Sequence, residues 1–155
     1  MRLALLVLAA LVAASPVAAQ RTVVHCGTLL DPATSMEPLL EQTVVVMDGR
    51  VAEVVAGFTT DADAIDLTGA TCMPGLIDSH THLTGESRSN GYIDRFRLTP
   101  ADRVLQAVAF ARSTLMAGFT TVRDVGADEG ADYALRDAIN RGDVDGPRMF
   151  VAGNS

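Results

Sequence analysis

From Cys72 onward the chain alternates short β-branched runs with amphipathic helical stretches, and that alternation restricts its fold more than any other feature. "CMPGLID" (72–78) reads as a buried strand. Thr99 then offers an N-cap, Pro100 a first helical position and Asp102 a first-turn acid. Val104, Ala107, Val108, Ala111 and Leu115 recur at helical spacing until Gly118 closes the helix. "FTTVRDVG" (119–126) is a second strand. Residues 132–141 form a second helix, with Leu135, Ala138 and Ile139 inward and Gly142 at its end, and "RMFVAG" (148–153) is a third strand. Strand, helix, strand, helix, strand is the grammar of a parallel α/β sheet. A doubly wound sheet and a (β/α)8 barrel both begin this way. No glycine-rich loop follows the first strand, which counts against nucleotide binding. A whole barrel takes eight such units and about 250 residues; here there is room for the first three strands and two helices.

Upstream the periodicity is that of strands. "TVVHC" (22–26) is short and β-branched, and "GTLLDP" follows as a turn region. "TVVVMDGRVAEVV" (43–55) reads as a hairpin, because Asp48-Gly49 suits a two-residue turn with positive φ. "AIDLTG" (64–69) adds a fourth strand. Residues 20–70 are therefore expected to be the N-terminal part of a β-sandwich, and residues 71–155 the N-terminal part of the α/β domain. Residues 1–19 stand apart. Arg2, the apolar run 3–12 and Val17-Ala18-Ala19 have the layout of a secretory signal peptide. The apolar run is shorter than the roughly 20 residues a bilayer span takes. The expected location is periplasmic or secreted, with no membrane attachment after cleavage.

The net charge is −7, and cleavage would also remove Arg2. Such a balance argues against a nucleic-acid partner. Every basic residue is an arginine; the chain has no lysine. Cys26 and Cys72 both sit in apolar, strand-like runs, which favours buried free thiols over a bridge, although an oxidising compartment would allow the pair.

The chain has three histidines. His25 lies on an upstream strand and reads as structural. His80 and His82 end the first α/β strand, in "PGLIDSHTH". Residues i and i+2 of a strand point to the same side, so both imidazoles, with Asp78 one step deeper, are expected to project together. The C-terminal ends of parallel barrel strands are where such enzymes keep their chemistry. Two imidazoles there can reach one divalent ion, and a catalytic zinc takes three protein ligands and keeps a fourth position open. An isolated H-x-H is weak evidence; the strand end, the carboxylate at 78 and the long loop that follows strengthen it.

"PGLIDSHTH" resembles the first metal-binding segment of the amidohydrolase superfamily, P-G-apolar-apolar-D-x-H-x-H. "HLTGE", "TLMAGFTTVRDVG" and "LRDAINRGDVDGPRMFVAG" are similar to its secreted or periplasmic branch, close to imidazolonepropionase-like and Xaa-Pro dipeptidase-like enzymes. The upstream strands resemble the small β-sandwich that flanks the barrel. The resemblance covers nearly the whole chain after residue 19. It implies a metal-dependent hydrolase of C–N bonds in amides, cyclic amides or dipeptides, acting through a metal-activated water. It also implies His80 and His82 as metal ligands, zinc first, and Asp78 as a positioning group or a strand carboxylate satisfied by backbone N–H groups. Asp124 either faces the same mouth or, more in keeping with its place, fixes the following loop or pairs with Arg123.

Family members complete the site with a lysine or glutamate from a fourth strand, two further histidines and an acid–base carboxylate from later strands. No such partner is identifiable in this sequence, so no catalytic residue is assigned. The expectation is an incomplete, inactive piece of an enzyme that lacks its C-terminal half or a complementing chain. The alternative from another class is a small secreted metal-binding or interaction module that complements a partner chain. The loop 84–98 carries Arg88, Arg95 and Arg97, which either meet a substrate carboxylate or are simply solvated. Substrate identity, metal count, oligomeric state and the reason for the end at Ser155 are not legible.

Overall fold

A computed structural model describes residues 20–85, 89 and 91–153. The segment 1–19 read as a signal peptide, Arg88 and the side chain of Arg95 lie outside the described residues. The chain divides into two compact units, one ending at Met73 and one beginning at Pro74.

The first unit is a single four-stranded sheet of β1 (Arg21–Leu29), β2 (Leu39–Met47), β3 (Arg50–Ala56) and β4 (Ile65–Cys72), in the order β3-β2-β1-β4. The hairpin forms as the sequence dictates. β2 and β3 pair antiparallel, and Asp48 and Gly49 take φ values of 49° and 74° at the turn, both in the left-handed region that a right-twisted hairpin uses. β1 joins β2 antiparallel and β4 parallel. Among the described residues this is one layer rather than two, since β4 extends the sheet through the free edge of β1. Val23, Cys26, Leu29 and Val45 are its buried apolar residues. His25, read from the sequence as structural, has Nε2 3.2 Å from Thr59 Oγ1 and its ring 5.3 Å from Phe58.

Cys26 and Cys72 are joined in a disulfide, with Cα atoms 5.8 Å apart. The expectation of free thiols fails because the parallel pairing of β1 with β4 brings together residues 46 apart in sequence. Local periodicity carries no information about that pairing.

The second unit is a parallel sheet of β5 (Leu76–Thr81), β6 (Phe119–Asp124) and β7 (Arg148–Val151), in that order. α1 (Gly91–Arg97) falls inside the stretch read as loop, with Tyr92 and Phe96 in edge contact at 5.4 Å. α2 (Pro100–Met116) starts with a full capping box, in which Thr99 and Asp102 each accept the other's backbone N–H. α3 (Ala131–Arg141) ends at Gly142, with φ 77°. Ala107 and Ala111 of α2 and Leu135 of α3 pack with Val122, Met149 and Leu83 to form the core. This is strand–helix–strand–helix–strand as the sequence predicts.

The strand carrying the histidines is less buried than "CMPGLID" suggests. β5 begins at Leu76, which is 41% exposed, and Ile77 is 71% exposed. β5 has a single pairing neighbour, β6, and Ile77 is in register with Thr121, one residue away from the core-facing Val122. The helices cover the Val122–Met149 face.

Candidate metal centre

His80 and His82 come together at the exit of β5. Both are exposed, and their ring centroids are 5.7 Å apart with the planes crossed at 76°. The arrangement does not rest on simple strand alternation. The β5–β6 register runs from Asp78↔Val122 to Thr81↔Asp124, so β5 carries one extra residue there, a bulge at Ser79-His80. Bulges bend a strand and re-aim its side chains. The two-residue alternation expected to align Asp78 with both histidines is therefore broken between Asp78 and His80. Asp78 acts on the backbone instead: its Oδ1 accepts the His80 N–H at 3.0 Å. Its recorded bond is thus to a backbone N–H two residues on.

His82 is held by its ring. Its Nδ1 lies 2.9 Å from the carbonyl oxygen of Gly126, in the loop after β6. A carbonyl can only accept, so Nδ1 carries the proton. The neutral ring then offers its Nε2 lone pair, the form that binds a metal.

Asp124 is fully buried at the end of β6. Its Oδ1 accepts from Gly126 N at 3.1 Å and its Oδ2 from Leu83 N at 2.8 Å. One of these partners, Gly126, lies in the following loop, and both are backbone N–H groups. Asp124 also reaches across to the residue after His82, which sequence reasoning did not foresee. Asp132, in the first turn of α3, is a second fully buried carboxylate that the sequence did not single out. It accepts from Tyr133 N at 2.9 Å and from Gly153 N, beyond β7, at 2.8 Å. Ala127 N in turn bonds the Gly153 carbonyl, Val125 N the Thr81 carbonyl and Ala152 N the Asp124 carbonyl. The three strand exits are thus tied by backbone bonds and two buried carboxylates. The available signal was an aspartate at the end of a strand and another at the start of a helix.

On the sheet face away from the helices, a recess of about 570 Å³ is lined by Ile77, Ser79, Thr121, Arg123, Val125 and Phe150. Arg97, at the end of α1, is exposed. Among the described residues no group of three or more His, Cys, Asp or Glu side chains is arranged to hold a metal ion. The donor set fits a divalent cation in kind, two imidazoles of which one has a fixed tautomer, and falls short of three ligands in number. Among the described residues no helix is long and apolar enough to cross a membrane.

The profile of the amidohydrolase family matches residues 71–155. A dihydroorotase of Syntrophotalea carbinolica is 32% identical over 117 residues, which cover 75% of this chain and 26% of that protein. An imidazolonepropionase of Thermoplasma volcanium is 31% identical over 72 residues, 46% of this chain and 17% of that one. Among solved structures, a Xaa-Pro dipeptidase with methionine bound in its active site superposes with a TM-score of 0.80 and 33% identity, over 88% of this chain and 34% of that chain. The chain thus spans about a third or less of the length of these relatives.

Proposed function

We propose that this chain, which belongs to the amidohydrolase family, carries the first metal-binding segment of a hydrolase that cleaves carbon–nitrogen bonds, with His80 and His82 as two ligands of one divalent cation, zinc first. The observation that carries this reading is the 2.9 Å bond from His82 Nδ1 to the Gly126 carbonyl. Metal-bound imidazoles are commonly oriented by such a bond on their second nitrogen. When bound, the cation supplies Lewis acidity and lowers the pKa of a coordinated water towards neutrality.

The chain's own contribution is orientation. Asp78 accepts the His80 backbone N–H and Gly126 holds the His82 ring. The third histidine, His25, belongs to the other compact unit and is bonded to Thr59. Further ligands and the acid–base carboxylate then come from later barrel strands or a complementing chain. The substrate is a small amide, cyclic amide or dipeptide, a class supported by relatives named as dihydroorotase, imidazolonepropionase and Xaa-Pro dipeptidase. The Cys26–Cys72 bridge supports a periplasmic or secreted location, because disulfides persist in oxidising compartments.

Zinc binding by the full-length protein, measured by competition with a chelator, tests the assignment. His80→Ala and His82→Ala are each expected to weaken it by more than the roughly 10–100-fold that loss of an outer partner costs. Where later strands or a complementing chain supply the remaining ligands and the acid–base carboxylate, hydrolysis of a panel of cyclic amides and dipeptides should fall in parallel. Undiminished zinc affinity in either variant would sink the role of that histidine.

A further inference from the structure

The proposed function gives no role to the most deeply buried charge near the histidines. A buried carboxylate is costly unless its oxygens are paired. Both oxygens of Asp124 are paired, and with a particular choice of partners. Oδ2 accepts from Leu83, the residue after His82, at 2.8 Å, and Oδ1 accepts from Gly126 at 3.1 Å. Gly126 returns its own carbonyl to His82 Nδ1 at 2.9 Å. The bonds close a ring that runs from the carboxylate through Leu83 N–H and His82 to the imidazole, then through Gly126 back to the carboxylate. One end of the ring fixes the His82 backbone and the other fixes the group that grips its side chain.

We propose that Asp124 is the positioning residue for His82, acting through the Gly126 carbonyl so that Nε2 is presented in one tautomer and one direction. The inference rests on His82 being a metal ligand. Gly126 has a φ of 156°, which is open to glycine, and its carbonyl lies 2.9 Å from the ring nitrogen. Asp132 provides the internal comparison. It is equally buried, but it accepts from Tyr133 and Gly153 and reaches the Gly126–Ala127 peptide at one further remove, through the Gly153 carbonyl that accepts from Ala127 N.

The test uses the full-length protein with Asp124→Asn and Asp132→Asn. Asn keeps the shape of Asp but turns one acceptor into a donor facing an N–H. Imidazole ¹⁵N NMR at mildly alkaline pH reads the tautomer of His82 without metal, and chelator competition reads the affinity for Zn²⁺ alone. The wild type should show a single Nδ1–H tautomer at His82. Asp124→Asn should give a tautomer mixture and weaken Zn²⁺ binding by about tenfold or more, while Asp132→Asn, one bond further from the Gly126 carbonyl, should change both readouts less. If Asp124→Asn lowers the melting temperature but leaves the tautomer and the Zn²⁺ affinity unchanged, Asp124 is only structural and the proposal is wrong. Where Asp124→Asn does not fold, the wild type decides. A fixed Nδ1–H tautomer with slowly exchanging Leu83 and Gly126 amides supports the ring, and an imidazole that averages between tautomers overturns it. A fixed tautomer in a wild type that binds no Zn²⁺ supports the positioning role and defeats the metal assignment, so the two failures are distinguishable.

Discussion

The two units solve the same problem, keeping strands in register, with different chemistry. The first relies on hydrogen-bonded ladders and a covalent tie, and its ion pair, Arg21 with Asp61 at 2.7 Å, lies on the surface. The second has no such staple among its described residues. It aligns its three strand exits with Asp124 and Asp132, both fully buried and both bonded to backbone N–H groups. An exposed ion pair contributes little, because water screens it. Removing a buried acceptor leaves its donors unpaired at about 1–3 kcal/mol each. Among the described residues the buried carboxylates are thus found at the strand exits, where side chains must be aimed, whereas the buried polar residues of the first sheet are the neutral Gln42 and Thr43.

The largest expected effect breaks the covalent half of this contrast. Closing a loop of 46 residues removes chain entropy worth about 4 kcal/mol in the unfolded state. Reduction, or Cys72→Ala, should therefore lower the urea midpoint of the first unit. Amide exchange should accelerate across residues 20–73 and much less across 74–153; an equal rise in both would mean that the units are not separately stabilised. Asp132→Ala tests the other half. It strands the Gly153 and Tyr133 N–H groups and should cost about 2–6 kcal/mol, read as faster exchange confined to the second unit. A loss below about 0.5 kcal/mol would show that its burial carries no such weight. A smaller effect comes from Gly49→Ala in the hairpin. At φ 74° a side chain is strained, and the loss should be about 1 kcal/mol, confined to the first unit by the same measurement.

These differences track what was legible in the sequence. The hairpin, the Thr99 cap and the strand–helix alternation are local, so Asp48-Gly49, Thr99-Pro100 and the spacing from Val104 to Leu115 announce them. The histidine pair was legible because imidazoles two residues apart at a strand end are chemically distinctive. Its supports were not. The Gly126 carbonyl that grips His82 is a backbone atom, which has no side-chain signature, and the bulge at Ser79-His80 depends on how β5 meets β6. Asp124 was visible as a residue but not as a bridge, because its second partner, Leu83, is 41 residues away. The disulfide was missed for the same reason, as it depends on a long-range parallel pairing.

Acid titration gives the smallest effect and sharpens the surface side of the comparison. Asp61 is held below its ordinary carboxylate range first by the hydrogen bond from Arg21 and then by that from Thr59. Asp66 is lowered by the Thr68 backbone N–H, and Asp102 of the second unit by the Thr99 hydroxyl. A carboxylate whose folded pKa is depressed stabilises the fold fully above its unfolded value, about 3.9. That contribution disappears as the pH falls through the folded value. The contribution of these three groups should therefore be constant from neutral pH down to about 5 and decline below about 4. Because the groups are exposed, salt should blunt the decline. Asp61→Asn should remove part of the acid dependence of amide exchange in residues 20–73 and leave that of 74–153 as it was. A decline that Asp61→Asn leaves untouched in the first unit would mean that the Arg21–Asp61 pair contributes nothing to its stability, and the contrast would then rest on the disulfide alone.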